Sequence, residues 1–336
     1  MNLELSCQII IPSLLLCRFK RKIFMSRNIL SSESCCITTL RSLAMAMIVA
    51  CHIVLSYGSN YYAVLNMGVQ IFFVISAFLY AQKDIDNPPD WLKRRFMKLY
   101  PPLFIFLICA FSILFAAYPE LFSFKKVFLY FMDCQYFLGK EQYEELDHLW
   151  FMTSIFICYL VTPLLQRINK YGVVPIWIIL FFMGANYYFT NGKIDWVLFY
   201  SFSYLLFRQN RNVPNIIIIG MIIVLLSVLP SMTWDIVKNY DWRRLLAYDL
   251  TSILLLIISM KIFNHFNWIN TLPIVKWISS YSFELYIVHN FYIHGGFSCS
   301  YLTPLIPVNI AVIILLSKLS AVILKKASAI VMFKFQ

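Results

Sequence analysis

The chain has 336 residues, of which 61% are hydrophobic and only 13% charged, and it carries a formal net charge of +12. Soluble globular domains are about a quarter charged, so this composition excludes that class. The apolar runs are aliphatic and aromatic throughout, with no period of two, which excludes a β-barrel.

The N-terminal segment comes first. Leu5 to Cys17 is largely apolar, but Glu4 precedes it and Arg18, Lys20, Arg21 and Lys22 follow, the reverse order of a secretory signal. Residues 1–36 are therefore read as a basic cytoplasmic extension, or as a mis-called start with translation beginning at Met25.

From Ile37 to Leu324, apolar runs of roughly 17 to 22 residues recur, each long enough to cross a hydrocarbon core as a helix. Spans are predicted near 38–57, 63–82, 100–117, 147–165, 173–190, 195–208, 213–230, 244–263, 274–294 and 303–324. The expected fold is an all-α integral membrane protein of about ten transmembrane helices with both termini cytoplasmic. A single transmembrane domain covers 37–326, and 327–336 form a cytoplasmic tail.

The distribution of basic residues agrees with that layout. The inner segments hold Arg18 to Arg27, Lys83 to Lys98, Arg167 and Lys170, Arg208 and Arg211, Lys261 and Lys276, and Lys325, Lys326 and Lys334. The outer loops hold only Lys125, Lys126, Lys140, Lys193, Lys238, Arg243 and Arg244. Topology and anionic inner-leaflet lipid account for the net charge, and nucleic acid need not be invoked. The nine cysteines form no C-x-x-C pair, which argues against a disulfide scaffold or a zinc site. Cys134 and Cys299 are the pair that falls on the outer side together.

Ionisable groups inside a span are costly and mark candidate functional positions. The first span carries two, Arg41 and His52, in the run RSLAMAMIVACH. Eleven residues at about 100° each advance three turns plus roughly 20°, which puts both on one helix face, about 16 Å apart along the axis. An imidazole is matched to taking a hydroxyl proton near neutral pH, and a guanidinium to holding a phosphate or an oxyanion. The competing account has Arg41 snorkelling to inner headgroups and His52 bonding a neighbouring helix.

The same residues carry a family resemblance. Arg-x10-His in the first span is the signature of the bacterial membrane-bound acyltransferase 3 family, and GVQIFFVISAFLYA (Gly68 to Ala81) resembles its next element. Ala77 stands where the family usually has Gly, a small-for-small change. WLKRRFMKLYPP (Trp91 to Pro102) is similar to the family's basic inner loop, HLWFMTSIFICYL (His148 to Leu160) to its His-Leu-Trp-Phe-Leu segment, and SSYSFELYIVH (Ser279 to His289) to its late Ser-x-Glu-x-Tyr-Leu-x-His element. One branch carries a Glu after the Trp-Phe-Leu step. Here Thr153 and Ser154 occupy that neighbourhood, and the chain looks like the branch without it.

The resemblance implies an O-acyltransferase, with acetyl as the expected group, in the cell inner membrane. It further implies acetyl-CoA or another acyl-CoA as co-substrate, no tightly bound cofactor or metal, and a cell-surface polysaccharide or lipid-linked glycan as acceptor. The expected catalytic residues are His52, Arg41, Glu284 and His289. Arg41, Arg94, Arg95 and Lys98 are expected at the acyl-CoA, and His148, Trp150 and Tyr286 at the acceptor, with Glu141, Glu144, Glu145 and Asp147 shaping its approach. The rival class is a transporter or flippase of a glycan or small polar solute, in which intramembrane His, Arg and Glu form relays. No two-fold self-similarity between the halves supports it. A sensor or scaffold without catalysis is the third reading.

Overall fold

A computed structural model describes residues 35–190, 194–210, 213–229, 241–262 and 267–334. The N-terminal extension lies outside the described residues, apart from residues 35 and 36, which already belong to the first helix.

Among the described residues every regular element is helical. The main helices in chain order are α1 (Cys35–Ser56), α2 (Gly68–Ala81), α3 (Pro88–Ala117), α4 (Phe124–Phe131), α5 (Trp150–Ile168), α6 (Val174–Thr190), α7 (Asp195–Gln209), α8 (Asn215–Val228), α9 (Trp242–Ile262), α10 (Pro273–Val288) and α11 (Ile306–Lys334). Five stretches are long and apolar enough to cross a membrane: Cys35–Ser56, Tyr62–Ala81, Pro88–Ala117, Glu144–Tyr171 and Ile306–Met332. Val174–Phe189 and Asn215–Val228 are shorter apolar helices. Side chains such as Phe181, Phe189, Ile216, Ile223 and Ile323 point outward from these helices, as lipid contact requires. The chain is a multi-pass, all-α membrane protein.

Three expected boundaries move. The basic segment Trp91–Tyr100, read as a loop, is the first part of the 30-residue helix α3. Its start is capped by Asn87, whose side-chain oxygen accepts the Asp90 amide at 3.3 Å, with Pro88 in the first turn. Pro101 and Pro102 lie inside this helix, and packed neighbours hold it continuous across the missing donors. The span predicted to run to 294 ends as α-helix at Val288 and continues as a tight turn, His289–Tyr292. The last helix starts at Ile306, between two prolines, and runs to Lys334 through most of the segment expected as a tail. Cys134 and Cys299 are both free thiols.

The bundle is built around α2, which packs along α7 on one side and against α9 on another. α10 packs on α11, and α11 on α3. α1 fits closely against α2 because Gly68 has no side chain: a Cβ there would lie 2.7 Å from the Ala44 carbonyl oxygen. Ser42 on α1 donates to the Val275 carbonyl of α10 at 2.6 Å, and Cys51 donates to Tyr62 at 3.2 Å. These bonds hold α1 in a fixed rotation, with Met45 and Ile48 buried on the stripe between Arg41 and His52.

Candidate functional site

Four of the five histidines meet at one end of the bundle. The His52 ring on α1 lies 6.1 Å from His148, 5.1 Å from His289 and 5.8 Å from His294, centroid to centroid. His148 and His289 are 4.9 Å apart and meet nearly edge-on. His148 comes from the short helical turn Glu144–Leu149 that leads into α5, His289 opens the turn His289–Tyr292 that ends α10, and His294 lies just beyond that turn. Asn290 joins these two turns. Its side-chain amide donates to the Glu144 carbonyl at 3.0 Å and to Asp147 at 2.9 Å.

The hydrogen bonds fix the proton positions on two of the rings. His148 donates from Nε2 to the Ile287 carbonyl at 3.1 Å. His289 donates from Nδ1 to the Tyr286 and Leu285 carbonyls at 2.8 and 3.1 Å. Each ring is thereby held as the tautomer whose other nitrogen carries a free lone pair. Those nitrogens, His148 Nδ1 and His289 Nε2, are buried without a hydrogen-bond partner among the described residues, as are His52 Nδ1 and His294 Nε2. Buried polar atoms are normally paired, so four such imidazole nitrogens in one cluster set this end of the bundle apart.

Of the two other residues expected at the acceptor, Tyr286 lies beside this cluster and Trp150 packs elsewhere. The Tyr286 hydroxyl donates to the His148 backbone carbonyl and its ring packs 5.3 Å from the His148 ring, so it buttresses that residue. Trp150 packs against Tyr136 and Phe151 at 6.4 and 6.3 Å.

At the other end of the same α1 stripe, Arg41 lies within electrostatic reach of the phenols of Tyr80 and Tyr159. Tyr80, Trp91 and Tyr159 form an aromatic triad with centroids 5.2 to 6.0 Å apart. Arg95 sits over it, 5.0 Å from the Tyr80 centroid and 5.5 Å from Trp91, and donates to the Tyr80 hydroxyl at 3.2 Å. Its Nε is buried and unpaired. Lys98 shares an electrostatic neighbourhood with Arg95, Arg41, Glu284 and Lys325. Cations drawn from α1, α3 and α11 therefore lie within electrostatic reach of Lys98, together with the Glu284 carboxylate, and such a group of charges is suited to a polyanion.

Two placements differ from expectation. Glu284 is 9% exposed and sits with Lys98 and Lys325, not with the histidines, because five residues of helix separate it from His289 by about 140°. Arg94, exposed as Lys98 is, is not among the charges grouped around Lys98. Two participants escaped the sequence reading, His294 and Lys325. For His294 the available signal was its spacing of five residues from His289; for Lys325 there was none, since its partners lie far away in sequence.

Imidazoles with unpaired nitrogens thus lie at one end of the α1 stripe and a group of cations at the other. The chain belongs to the acyltransferase 3 family: the family model Acyl_transf_3, described as an acyltransferase domain, matches residues 36–325. Family membership supports acyltransferase activity in general and favours the enzyme over the transporter reading. No curated protein and no solved structure matches the chain.

Proposed function

We propose that the protein is an inner-membrane O-acyltransferase, with acetyl as the transferred group, that moves an acyl unit from cytoplasmic acyl-CoA to a hydroxyl of a cell-envelope glycan. The phosphates of the donor rest among Arg41, Arg95, Lys98 and Lys325, and the pantetheine arm runs along the α1 stripe past Met45 and Ile48. The thioester then reaches the histidines. His52 removes the proton of the acceptor hydroxyl while its oxygen attacks the thioester carbonyl. The carbon–sulfur bond breaks, and the thiolate takes up the proton that His52 received, giving ester and coenzyme A. In a two-step version His52 carries the acyl group itself, and the unpaired nitrogen of His289 or His148 serves as base for the second attack.

The observation that carries this reading is the set of unpaired, buried imidazole nitrogens around His52. A direct test uses purified protein and labelled acetyl-CoA with an envelope glycan fraction. Wild type should bind the donor and label the glycan, and His52→Ala should bind it without transfer. Full labelling by His52→Ala would reject the role given to His52, and a chain that does not bind acetyl-CoA would reject the reaction class.

A further inference from the structure

A cleft of about 420 Å³ opens beside the histidine cluster, bounded by the end of α3, the start of α4, the turn before α5 and the loop after His294. Its walls combine the rings of Tyr118 and Tyr143 with Lys126, Gln142 and the carboxylates of Glu144 and Glu145.

The walls are held in place. The Tyr143 hydroxyl accepts from the Ser123 amide at 3.0 Å and donates to the Leu121 carbonyl at 3.2 Å, and the Lys126 ammonium stands 5.6 Å over the Tyr143 ring. Glu145, only 6% exposed, accepts from the Gly296 amide at 2.8 Å. Gly295 adopts φ +76°, and a Cβ on it would lie 2.3 Å from the Glu145 carboxyl carbon, so only glycine lets this loop close over that carboxylate. Gly295 directly follows His294, and Glu144 lies within electrostatic reach of the His294 ring. The cleft therefore adjoins the reacting imidazoles.

We infer that this cleft is the acceptor subsite and that it holds one ring of a neutral or cationic glycan. The inference rests on the acyltransferase reading proposed above. Flat aromatic faces pack against the C–H faces of a pyranose, while carboxylates, an amide and an ammonium exchange hydrogen bonds with its hydroxyls. Two carboxylates against one ammonium leave the cleft net negative, which selects against uronate or phosphate on the ring.

The test is saturation-transfer NMR on the purified full chain with methyl glucopyranoside, glucosamine and glucuronic acid. The neutral and cationic sugars should bind, with the uronate weaker by about tenfold, a difference of about 1.4 kcal/mol. Glu144→Gln should narrow that discrimination; its backbone carbonyl, which Asn290 uses, is retained. Tyr118→Ala should weaken all the sugars. Equal binding of all three sugars, no binding, or binding indifferent to both variants would overturn the subsite. Coenzyme A binding is scored on the same samples: sugar bound without coenzyme A leaves the cleft and removes the acyl-transfer reading, whereas coenzyme A bound without sugar removes the cleft alone.

Discussion

The His52 and His289 rings stand 5.1 Å apart, one on α1 and one at the end of α10, each with a buried nitrogen that has no hydrogen-bond partner among the described residues. In the proposed mechanism a second imidazole so close to the first supplies a second base. His289→Gln should therefore lower turnover by about 10²-fold while the KM for acyl-CoA stays near wild type, since this ring is distant from the cations. Initial rates at saturating donor check it. Wild-type turnover in this variant would show that one base suffices.

The cation cluster makes a separable prediction. Arg41→Gln, Arg95→Gln and Lys98→Gln should each raise the KM for acyl-CoA by about tenfold, the loss of one charge-assisted contact. Arg94→Gln should do little, because Arg94 is outside the group of charges around Lys98. Repeating the titration with a donor lacking the 3′-phosphate should shrink the penalty of whichever residue holds that phosphate. An identical penalty with both donors for all three variants would place the phosphate elsewhere.

How much of this was legible in the sequence depends on the range of the contacts. Helical periodicity alone puts Arg41 and His52 on one stripe, and hydropathy places the first spans because both signals are local. The end of α10 was not legible. It depends on the His289–Tyr292 turn and on Asn290 bonding a turn more than 140 residues away, and that turn is what brings His294 in. Hydropathy starts the third span near 100 and misses the basic first turns of α3, and Lys325 reaches the cation cluster only because α11 lies against α3.

The seam between α1 and α2 is tight enough to test. Gly68→Ala places a methyl 2.7 Å from the Ala44 carbonyl oxygen and 3.0 Å from Ile48, so the helices must part. A loss of about 1–3 kcal/mol is expected, seen as a lower Tm in detergent. Gly220→Ala, where nothing lies within 4 Å, serves as the control. Equal Tm for the two variants would mean the seam relaxes freely.

Asp133 predicts a pH dependence. It lies in the loop after α4, where burial pushes its carboxyl up to about 7 despite hydrogen bonds from Gln135 at 2.9 Å and Thr153 at 3.5 Å. Between the ordinary carboxylate range and about pH 7 the folded chain then holds more protons than the unfolded one, so this group makes stability fall as pH rises through that window. Asp133→Asn keeps a residue tolerant of the local φ of +54° and should flatten the slope of Tm against pH. An unchanged slope would assign it to other groups.

The central claim is that the donor enters at the Arg41 end and the ester forms at the His52 end. Proteoliposomes of known orientation, with labelled acetyl-CoA sealed on the Arg41 side and glycan acceptor only on the other, measure this directly. The account predicts labelled ester on the acceptor side with wild type and none with His52→Ala. Transfer that occurs only when donor and acceptor share one compartment would contradict it.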